Sequence, residues 1–139
     1  MNKLIVMDAN ILIRGILGER VPHLLQQYGD QVQFFTTAVC YEEVRRHLPA
    51  ILEKRGIEPA PFLAAVDVLE TVVVPLSEEI YGAFEAQAKQ RIAARDKQDW
   101  PLLALALALD CPVWSEDNDF FGTGVPTWNS QNVEIYLRG

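Results

Sequence analysis

The stretch Lys3-Leu4-Ile5-Val6-Met7-Asp8-Ala9-Asn10-Ile11-Leu12 places an apolar run directly before an acidic residue and a second apolar segment. The run within Lys3–Met7 is typical of a strand buried on both faces of a parallel sheet. Asp8 ends this strand, and Ala9–Leu17 has apolar residues at helical spacing, with Gly18 as its stop. The chain therefore begins with a strand, an acidic turn and a helix.

The same alternation of strands and helices continues outward from this stretch to the end of the chain. Further strands are predicted at Gln33–Thr36, Thr71–Val74, Cys111–Ser115 and Val125–Trp128, the last at a sheet edge because it contains proline. Helices are predicted at Val21–Tyr28, Ala38–Lys54 with Thr37 as N-cap, Pro59 or Pro61 to Leu69, Glu78–Ile92, Asp96 or Lys97 to Leu109, and Asn132–Leu137. This order indicates one three-layer α/β/α domain over residues 1–139, with a central parallel sheet of four to five strands.

Composition limits the classes of protein that the chain can belong to. Half of its 139 residues are hydrophobic, which is enough for one buried core and argues against disorder. The net charge of −7 argues against a protein that coats nucleic acid by broad electrostatic attraction, but an acidic metal site is compatible with it. Cys40 and Cys111 form no metal-binding pattern and are expected to be half-buried free thiols in a reducing compartment.

The sequence also predicts a cytoplasmic location and no membrane association. The segment Met1–Asp8 is too short, and reaches an acid too early, to be a signal peptide. The most apolar uncharged run is Trp100–Leu109, whereas a membrane span needs about 20 apolar residues.

Acidic residues occur where the predicted strands end or where the neighbouring helices begin. The set comprises Asp8, Glu43, Asp96, Asp99, Asp117 and Asp119. Asp8 follows the first strand directly, and Asp117 follows the fourth. In an open parallel sheet, ligand sites form outside the carboxyl ends of the strands. We therefore expect these carboxylates to converge on one edge of the sheet.

Each acid also has an ordinary structural interpretation. Asp8 could cap the following helix, Asp96 and Asp99 could complement a helix dipole, and Asp117 and Asp119 could be turn residues. Their common location favours a site over these separate explanations. No Lys or Arg adjoins Asp8 in sequence, and a carboxylate after an apolar strand is costly to desolvate unless a positive group pairs with it. A metal ion is a natural partner.

Four segments, in order along nearly the whole chain, resemble the motifs of PIN domains. Val6–Ile13 resembles the opening motif, in which Asp-x-Asn follows a strand. Thr37–Val44 is similar to the second, a small hydroxyl residue followed six positions later by Glu43 and an aliphatic residue. Asp99–Ala106 resembles the third motif, an Asp before an apolar helix. Trp114–Phe120 resembles the last, a hydroxyl-x-Asp turn followed by an Asp-Phe pair.

The resemblance implies a flavodoxin-like parallel sheet, a site of three or four acids that binds Mg²⁺ or Mn²⁺, and ribonuclease activity on an RNA substrate. Many small prokaryotic relatives are VapC-like toxins that an antitoxin protein neutralises, so an antitoxin partner is implied for some members. A homodimer is also common among similar proteins.

The motif spacing selects Asp8, Glu43, Asp99 and Asp117 as the catalytic carboxylates. Glu42 competes with Glu43, but successive helical residues are about 100° apart, so Glu42 points away from the buried Val44 and Glu43 lies nearer the core. The expected metal ligands are Asp8, Asp99 and Asp117, with Asp96 and Asp119 as neighbours that are either further ligands or a helix cap and a turn acid. Glu43 would bind metal directly or through water.

A divalent cation is the natural occupant of such a cluster. Clustered carboxylates resist joint ionisation, and a hard cation that prefers oxygen ligands removes that penalty. It can also lower the pKa of a bound water and neutralise charge on a phosphodiester. The expected substrate-positioning residues are Asn10, Ser115, Arg14, Arg45 and Arg46, although solvated helix faces are an ordinary alternative for the arginines. His23 and His47 form no metal-binding spacing and are expected to be ordinary.

Two other classes of protein share part of this sequence pattern. A phosphatase of the haloacid-dehalogenase type also places an Asp after its first strand, but it needs a second Asp two residues later, where this chain has Asn10. A non-catalytic PIN-like scaffold that binds RNA or protein would be expected to have lost one or more acids, and none of the four motif acids is lost here.

Overall fold

The computed structural model describes residues 3–139, so Met1 and Asn2 of the expected domain lie outside it. Its strands are β1 (Lys3–Met7), β2 (Val32–Thr37), β3 (Val73–Leu76), β4 (Val113–Trp114) and β5 (Thr127–Trp128). They form one parallel sheet in the order β3-β2-β1-β4-β5. The predicted parallel α/β class is confirmed, and β5 is the predicted edge strand.

The helices follow the predicted order, with three short 3₁₀ turns between them. They are α1 (Ala9–Leu17), α2 (Arg20–Tyr28), α3 (Ala38–Lys54), α4 (Pro59–Leu69), α5 (Glu78–Tyr81), α6 (Glu85–Ile92), α7 (Trp100–Leu109) and α8 (Val133–Arg138). The 3₁₀ turns are Gly82–Phe84, Lys97–Asp99 and Asn118–Phe120. Within residues 3–139, no helix combines the length and the hydropathy that crossing a membrane requires.

Three strands, β3, β4 and β5, differ from their predicted ranges by two residues at one end or more, and β5 begins at Thr127 and not at Val125. The third was expected at Thr71–Val74 but lies two residues later, because the hydroxyl and backbone N–H of Thr71 both donate to the Val68 carbonyl and close the end of α4. The fourth is shorter than the predicted Cys111–Ser115. The N–H of Cys111 donates to the Ala106 carbonyl at 3.1 Å, which ties this residue to the end of α7 and not to the sheet.

Two helices also differ from prediction. The single helix expected at Glu78–Ile92 is interrupted at Gly82, a residue with low helix propensity, and resumes as α6. The helix expected from Asp96 or Lys97 begins only at Trp100, after a 3₁₀ turn, and Pro101 occupies its first turn.

Both cysteines are free, as predicted, but they are buried and not half-buried. Cys40 lies in the first turn of α3 and Cys111 at the end of α7, both against the sheet. Burial raises the pKa of Cys40 to about 11 and that of Cys111 to about 12. Neither thiol is therefore a ready nucleophile near neutral pH.

The helices form two layers that the strand order dictates. Helix α1 packs with α2, α3 and α4 on one face, while α7 packs with α5, α6 and three strands on the other. The first two crossovers run from β1 to β2 and then to β3, and the third returns across the sheet to β4. The strand order therefore reverses between β1 and β4, which is where ligand sites form in open α/β sheets.

Leu103 of α7 has no exposed surface and lies in the core beneath the sheet. We expect Leu103→Ala to lower the free energy of unfolding by about 2–5 kcal/mol, because the substitution removes buried methyl groups and leaves a cavity. Leu107→Ala is a matched control on the same helix at a partly exposed position, and its loss should be smaller. Chemical denaturation measures both, and equal losses would contradict the placement of α7.

Candidate functional site

Asp8 and Ser115 leave the sheet side by side at the point where the strand order reverses. The ends of β1 and β4 are paired through Met7 and Trp114. The N–H of Asp8 donates to the Trp114 carbonyl at 3.0 Å, which extends this pairing to the residue that carries the carboxylate. The first and fourth predicted motifs are therefore adjacent although more than 100 residues separate them in sequence.

The Asp8 carboxylate is fixed on both of its oxygens. Its Oδ1 accepts from the N–H of Ala9 at 2.7 Å, which caps α1. Its Oδ2 accepts from the Ser115 hydroxyl at 2.7 Å and from Asn10 Nδ2 at 3.3 Å. Burial raises the pKa of Asp8, and these hydrogen bonds oppose the rise only in part. The cap and the site are thus two roles of one side chain.

The loop after β4 is ordered by a short hydrogen-bond network. Ser115 Oγ accepts from the N–H of Asp117 at 2.9 Å, and Asp117 Oδ1 accepts from the N–H of Asp119 at 3.0 Å. Asn10 Oδ1 accepts from the N–H of Glu116 at 3.3 Å. Asn10 and Ser115 therefore link α1 to this loop and hold Asp117 beside Asp8.

Three aspartates converge on a single point at the start of α7. One carboxylate oxygen from each of Asp96, Asp99 and Asp119 lies within 4.8 Å of the others. Asp96 also accepts from the N–H of Gln98 at 3.0 Å and so caps the 3₁₀ turn. Asp96 and Asp119 had ambiguous interpretations from sequence, and the structure brings both to the site, where Asp96 also keeps its role as a cap.

Among the acids of the cluster, Asp99 has the least favourable environment for a negative charge. Its buried Oδ2 has no hydrogen-bond partner among residues 3–139. Burial, followed by repulsion from four neighbouring aspartates, raises the pKa of Asp99 to about 8. A buried polar atom without a partner is rare in proteins and calls for an explanation such as an ion. The carboxylate oxygens around it are the donors that hard divalent cations prefer.

Glu43 approaches Asp8 and Asp99 from the first turns of α3. The helix begins there because Thr37 Oγ1 accepts from the N–H of Cys40 at 3.1 Å, which confirms the predicted N-cap. A small cavity of about 10 Å³ lies between Thr37, Glu43, Asp8 and Asp99, room for about one water-sized occupant. Burial first, and Asp8 second, raise the pKa of Glu43.

The acids open into a cleft of about 620 Å³. One wall is a face of α3 whose residues are spaced at i, i+3, i+4, i+7, i+8 and i+11, namely Glu43, Arg46, His47, Ala50, Ile51 and Lys54. The opposite wall carries Asp8, Asn10, Asp96, Asp99 and Asp117. Of the predicted acids, Asp119 lies just outside this lining and joins the site through Asp96 and Asp99.

The predicted arginines separate into different environments. Arg46 lines the cleft, whereas Arg14 does not line it and pairs with Glu116 at 3.7 Å. Arg45 is not brought to the cleft. It points toward α4, where it pairs with Asp67 at 2.8 Å and Glu70 at 2.6 Å, because adjacent helical residues face directions about 100° apart.

The sequence interpretation missed His47, Lys54 and Gln98 as cleft residues. For His47 and Lys54, the signal was present in the helical spacing. They lie four and eleven positions after Glu43 and therefore share its face. Gln98 gave no such signal because it lies in the 3₁₀ turn, which was predicted as regular helix.

A sequence profile described as a PIN domain matches residues 6–138. Among solved structures, the chain is similar to VapBC2 from Rickettsia felis bound to a DNA fragment from its promoter, with a TM-score of 0.67, 10% identity, and coverage of 91% of this chain and 98% of that one. It is also similar to FitAB bound to an IR36 DNA fragment, with a TM-score of 0.57, 21% identity, and coverage of 91% and 94%. At these identities the likeness shows the fold. No curated protein sequence matches the chain.

The raised pKa of Asp99 makes the stability of the metal-free protein depend on pH. Asp99 titrates near 8 in the folded protein, against an ordinary value of 3.8. Between these values the folded state binds the extra proton, so this contribution to stability is present at low pH and is lost as pH rises toward 8. In chelator at pH 8, we expect Asp99→Asn to raise the thermal unfolding midpoint, with little difference near pH 4.

The matched control is Asp30→Asn. Asp30 is exposed and precedes the amino end of β2, whereas the cleft lies at the carboxyl ends of the strands. The difference between the unfolding midpoint of Asp30→Asn and that of the wild type should not increase as pH rises. Differential scanning calorimetry measures both variants. A destabilised Asp99→Asn protein at pH 8 in chelator would show that the Asp99 charge is not under strain.

Proposed function

The chain belongs to the PIN-domain family, and on that premise we propose that it is a divalent-metal-dependent endoribonuclease, a hydrolase that cleaves RNA phosphodiester bonds. One observation carries the proposal: among the described residues the buried Oδ2 of Asp99 has no hydrogen-bond partner, and it lies in a group of carboxylates whose oxygens approach one another. A structural role alone does not account for such an arrangement, because each added carboxylate increases the repulsion.

The donor set fits Mg²⁺ or Mn²⁺, which prefer carboxylate oxygens. Asp8, Asp99 and Asp117 would hold the metal, with Asp96 and Asp119 as additional ligands beside Asp99. A bound divalent ion supplies Lewis-acid stabilisation of the phosphodiester and a water of lowered pKa.

Neighbouring side chains prepare these carboxylates for that role. The Ser115 hydroxyl and the Ala9 N–H hold the Asp8 carboxylate in one orientation. Asn10 donates a hydrogen bond to the Asp8 carboxylate and accepts one from the N–H of Glu116. These bonds keep the loop after β4 against α1. We assign Asn10 and Ser115 as positioning residues, because they order the acids before any ligand arrives.

Glu43 lies on the α3 wall of the cleft and is suited to act as a general base. Burial and the Asp8 charge raise the pKa of its carboxyl, so its carboxylate is a stronger base than that of an exposed glutamate. We propose that a Glu43 carboxylate oxygen orients the attacking water and accepts its proton. Arg46, which lines the cleft on the next turn of α3, would contact phosphate there, and Arg14, on α1 beside Glu116, would contact phosphate outside the cleft lining.

We further propose that the nuclease is the toxin of a toxin–antitoxin pair in the cytoplasm. The support is the VapC-like motif order in the sequence together with the similarity of its fold to the chains in the VapBC2 and FitAB structures. The alternative is a non-catalytic PIN-like scaffold that binds RNA or protein. The retention of every motif acid, and their assembly around one cleft, favours the nuclease.

We expect purified protein to cleave single-stranded RNA with Mg²⁺ or Mn²⁺ and to be inactive in chelator. Asp8→Asn and Asp99→Asn should each lower the cleavage rate by about 100-fold or more, because each removes a carboxylate that would hold the metal ion at the site. The asparagine oxygen can still accept from the Ala9 N–H, and its amide nitrogen can donate to Ser115 Oγ, so the Asp8→Asn protein is expected to remain folded. Gel analysis of a labelled RNA measures the rates.

Asp30→Asn is again the matched control and should cleave at the wild-type rate. Absence of cleavage with every divalent metal, or full activity in both site variants, would contradict the nuclease assignment and favour the scaffold. Growth of a bacterial host provides the test of the toxin role. Expression of the wild type should arrest growth, and expression of Asp99→Asn should not.

A further inference from the structure

The α3 wall of the cleft extends well beyond the carboxylates. With a rise of about 1.5 Å per residue, Lys54 lies about 16 Å along the helix axis from Glu43. Arg46 and His47 follow Glu43 by one turn, Ala50 and Ile51 by two, and Lys54 by three. The wall therefore changes from acidic to basic to apolar and back to basic along a single line.

Two cations on this wall face the cleft without an acidic partner in the described part of the chain. Within the described range 3–139, the cations that form salt bridges all lie outside the cleft lining, namely Arg14 with Glu116, Arg20 with Glu134, Arg45 with Asp67 and Glu70, and Lys89 with Glu85. Arg46 and Lys54 line the cleft and form none among these residues, and their position distinguishes them from other unpaired cations such as Arg55. With the carboxylates of the cleft offset by a divalent ion, two free cations along one wall favour an anionic ligand.

The shape and composition of the cleft limit what this anion can be. Its volume of about 620 Å³ is in the range of small-ligand pockets and suits a few nucleotides of one strand, not a duplex. Ile13, Ala50 and Ile51 give the stretch before Lys54 an apolar surface. The described lining contains no Phe, Tyr or Trp and only the imidazole of His47 for a base to stack on, so the backbone phosphates must supply most of the affinity.

Resting on the proposed nuclease function, we propose that α3 is the path of one RNA strand that leaves the carboxylate cluster. Arg46 and His47 contact the phosphate next to the cleaved bond, and Lys54 contacts a phosphate farther along the same strand. The apolar stretch between them accommodates sugar or base without selecting a sequence. Lys54 is thus a positioning residue, remote from the reacting atoms.

Lys54 also has a structural explanation, since it lies in the last turn of α3, where a cation complements the helix dipole. Arg55 provides the control that separates these roles. It is the C-cap residue of the same helix, is exposed, and does not line the cleft. Lys54→Gln and Arg55→Gln remove the same charge from the same helix end, and only Lys54→Gln removes it from the proposed path.

The experiment is fluorescence anisotropy of a labelled single-stranded RNA of about eight nucleotides over a range of salt concentrations. Both substitutions are placed in the full-length Glu43→Gln protein with Mg²⁺ present, so that the proposed proton acceptor is lost and the RNA is not cleaved while the aspartates that would hold the metal are unchanged. Lys54→Gln should weaken binding several-fold and make the slope of log affinity against log salt shallower by about 0.7. Arg55→Gln should change neither, and a dinucleotide should bind both variants alike.

Equal affinities of the two variants for the eight-nucleotide RNA would overturn the path. So would a Lys54→Gln effect that is as large on duplex RNA as on the single strand, or an absence of RNA binding by the parent protein. Because binding is read without cleavage, the two proposals can fail separately. Cleavage by the wild type with no Lys54 effect retains the nuclease and removes the path. A Lys54 effect without any cleavage retains the path and removes the nuclease.

Discussion

Repulsion among carboxylates that the fold holds together is the constraint on which the site depends. The reversal of strand order between β1 and β4 brings Asp8 and Asp117 to one edge, and α7 begins at the same edge with Asp99. Burial, and then repulsion from the neighbouring aspartates, raises the pKa of Asp99 to about 8, and its buried Oδ2 has no hydrogen-bond partner in the described part of the chain. The folded protein therefore bears an electrostatic cost that the core of α7 and the sheet must offset. A bound cation would convert that cost into binding free energy.

Individual acids serve local structure and the site at the same time. Asp8 caps α1, Asp96 caps the 3₁₀ turn before α7, and Asp117 orders the loop after β4. These hydrogen bonds fix the carboxylates in position before a ligand binds, which is how preorganised sites avoid reorganisation during reaction. The ordinary and functional interpretations of each acid, which competed when only the sequence was considered, are compatible in three dimensions.

The sequence was sufficient for the parallel α/β class, because apolar strands and amphipathic helices alternate with clear stops. It also identified the acids of the cleft, since they occur at strand ends. It could not give the length of β4, which the hydrogen bond from Cys111 to Ala106 decides, nor the 3₁₀ turn that precedes α7. Arg45 and Arg46 were indistinguishable as neighbours in sequence. Their different roles depend on Asp67 and Glu70 of α4, which only tertiary packing brings to Arg45.

The central claim is that the cluster around Asp99 binds a divalent metal ion. Crystals grown with Mn²⁺ and measured for its anomalous scattering test this claim most directly, because the signal locates the ion without reference to activity. The account predicts an anomalous peak at bonding distance from Asp99 Oδ2, with oxygens of neighbouring aspartates completing the ligands, and no such peak in Asp99→Asn crystals. A wild-type crystal at saturating Mn²⁺ with no peak at the cluster would contradict it.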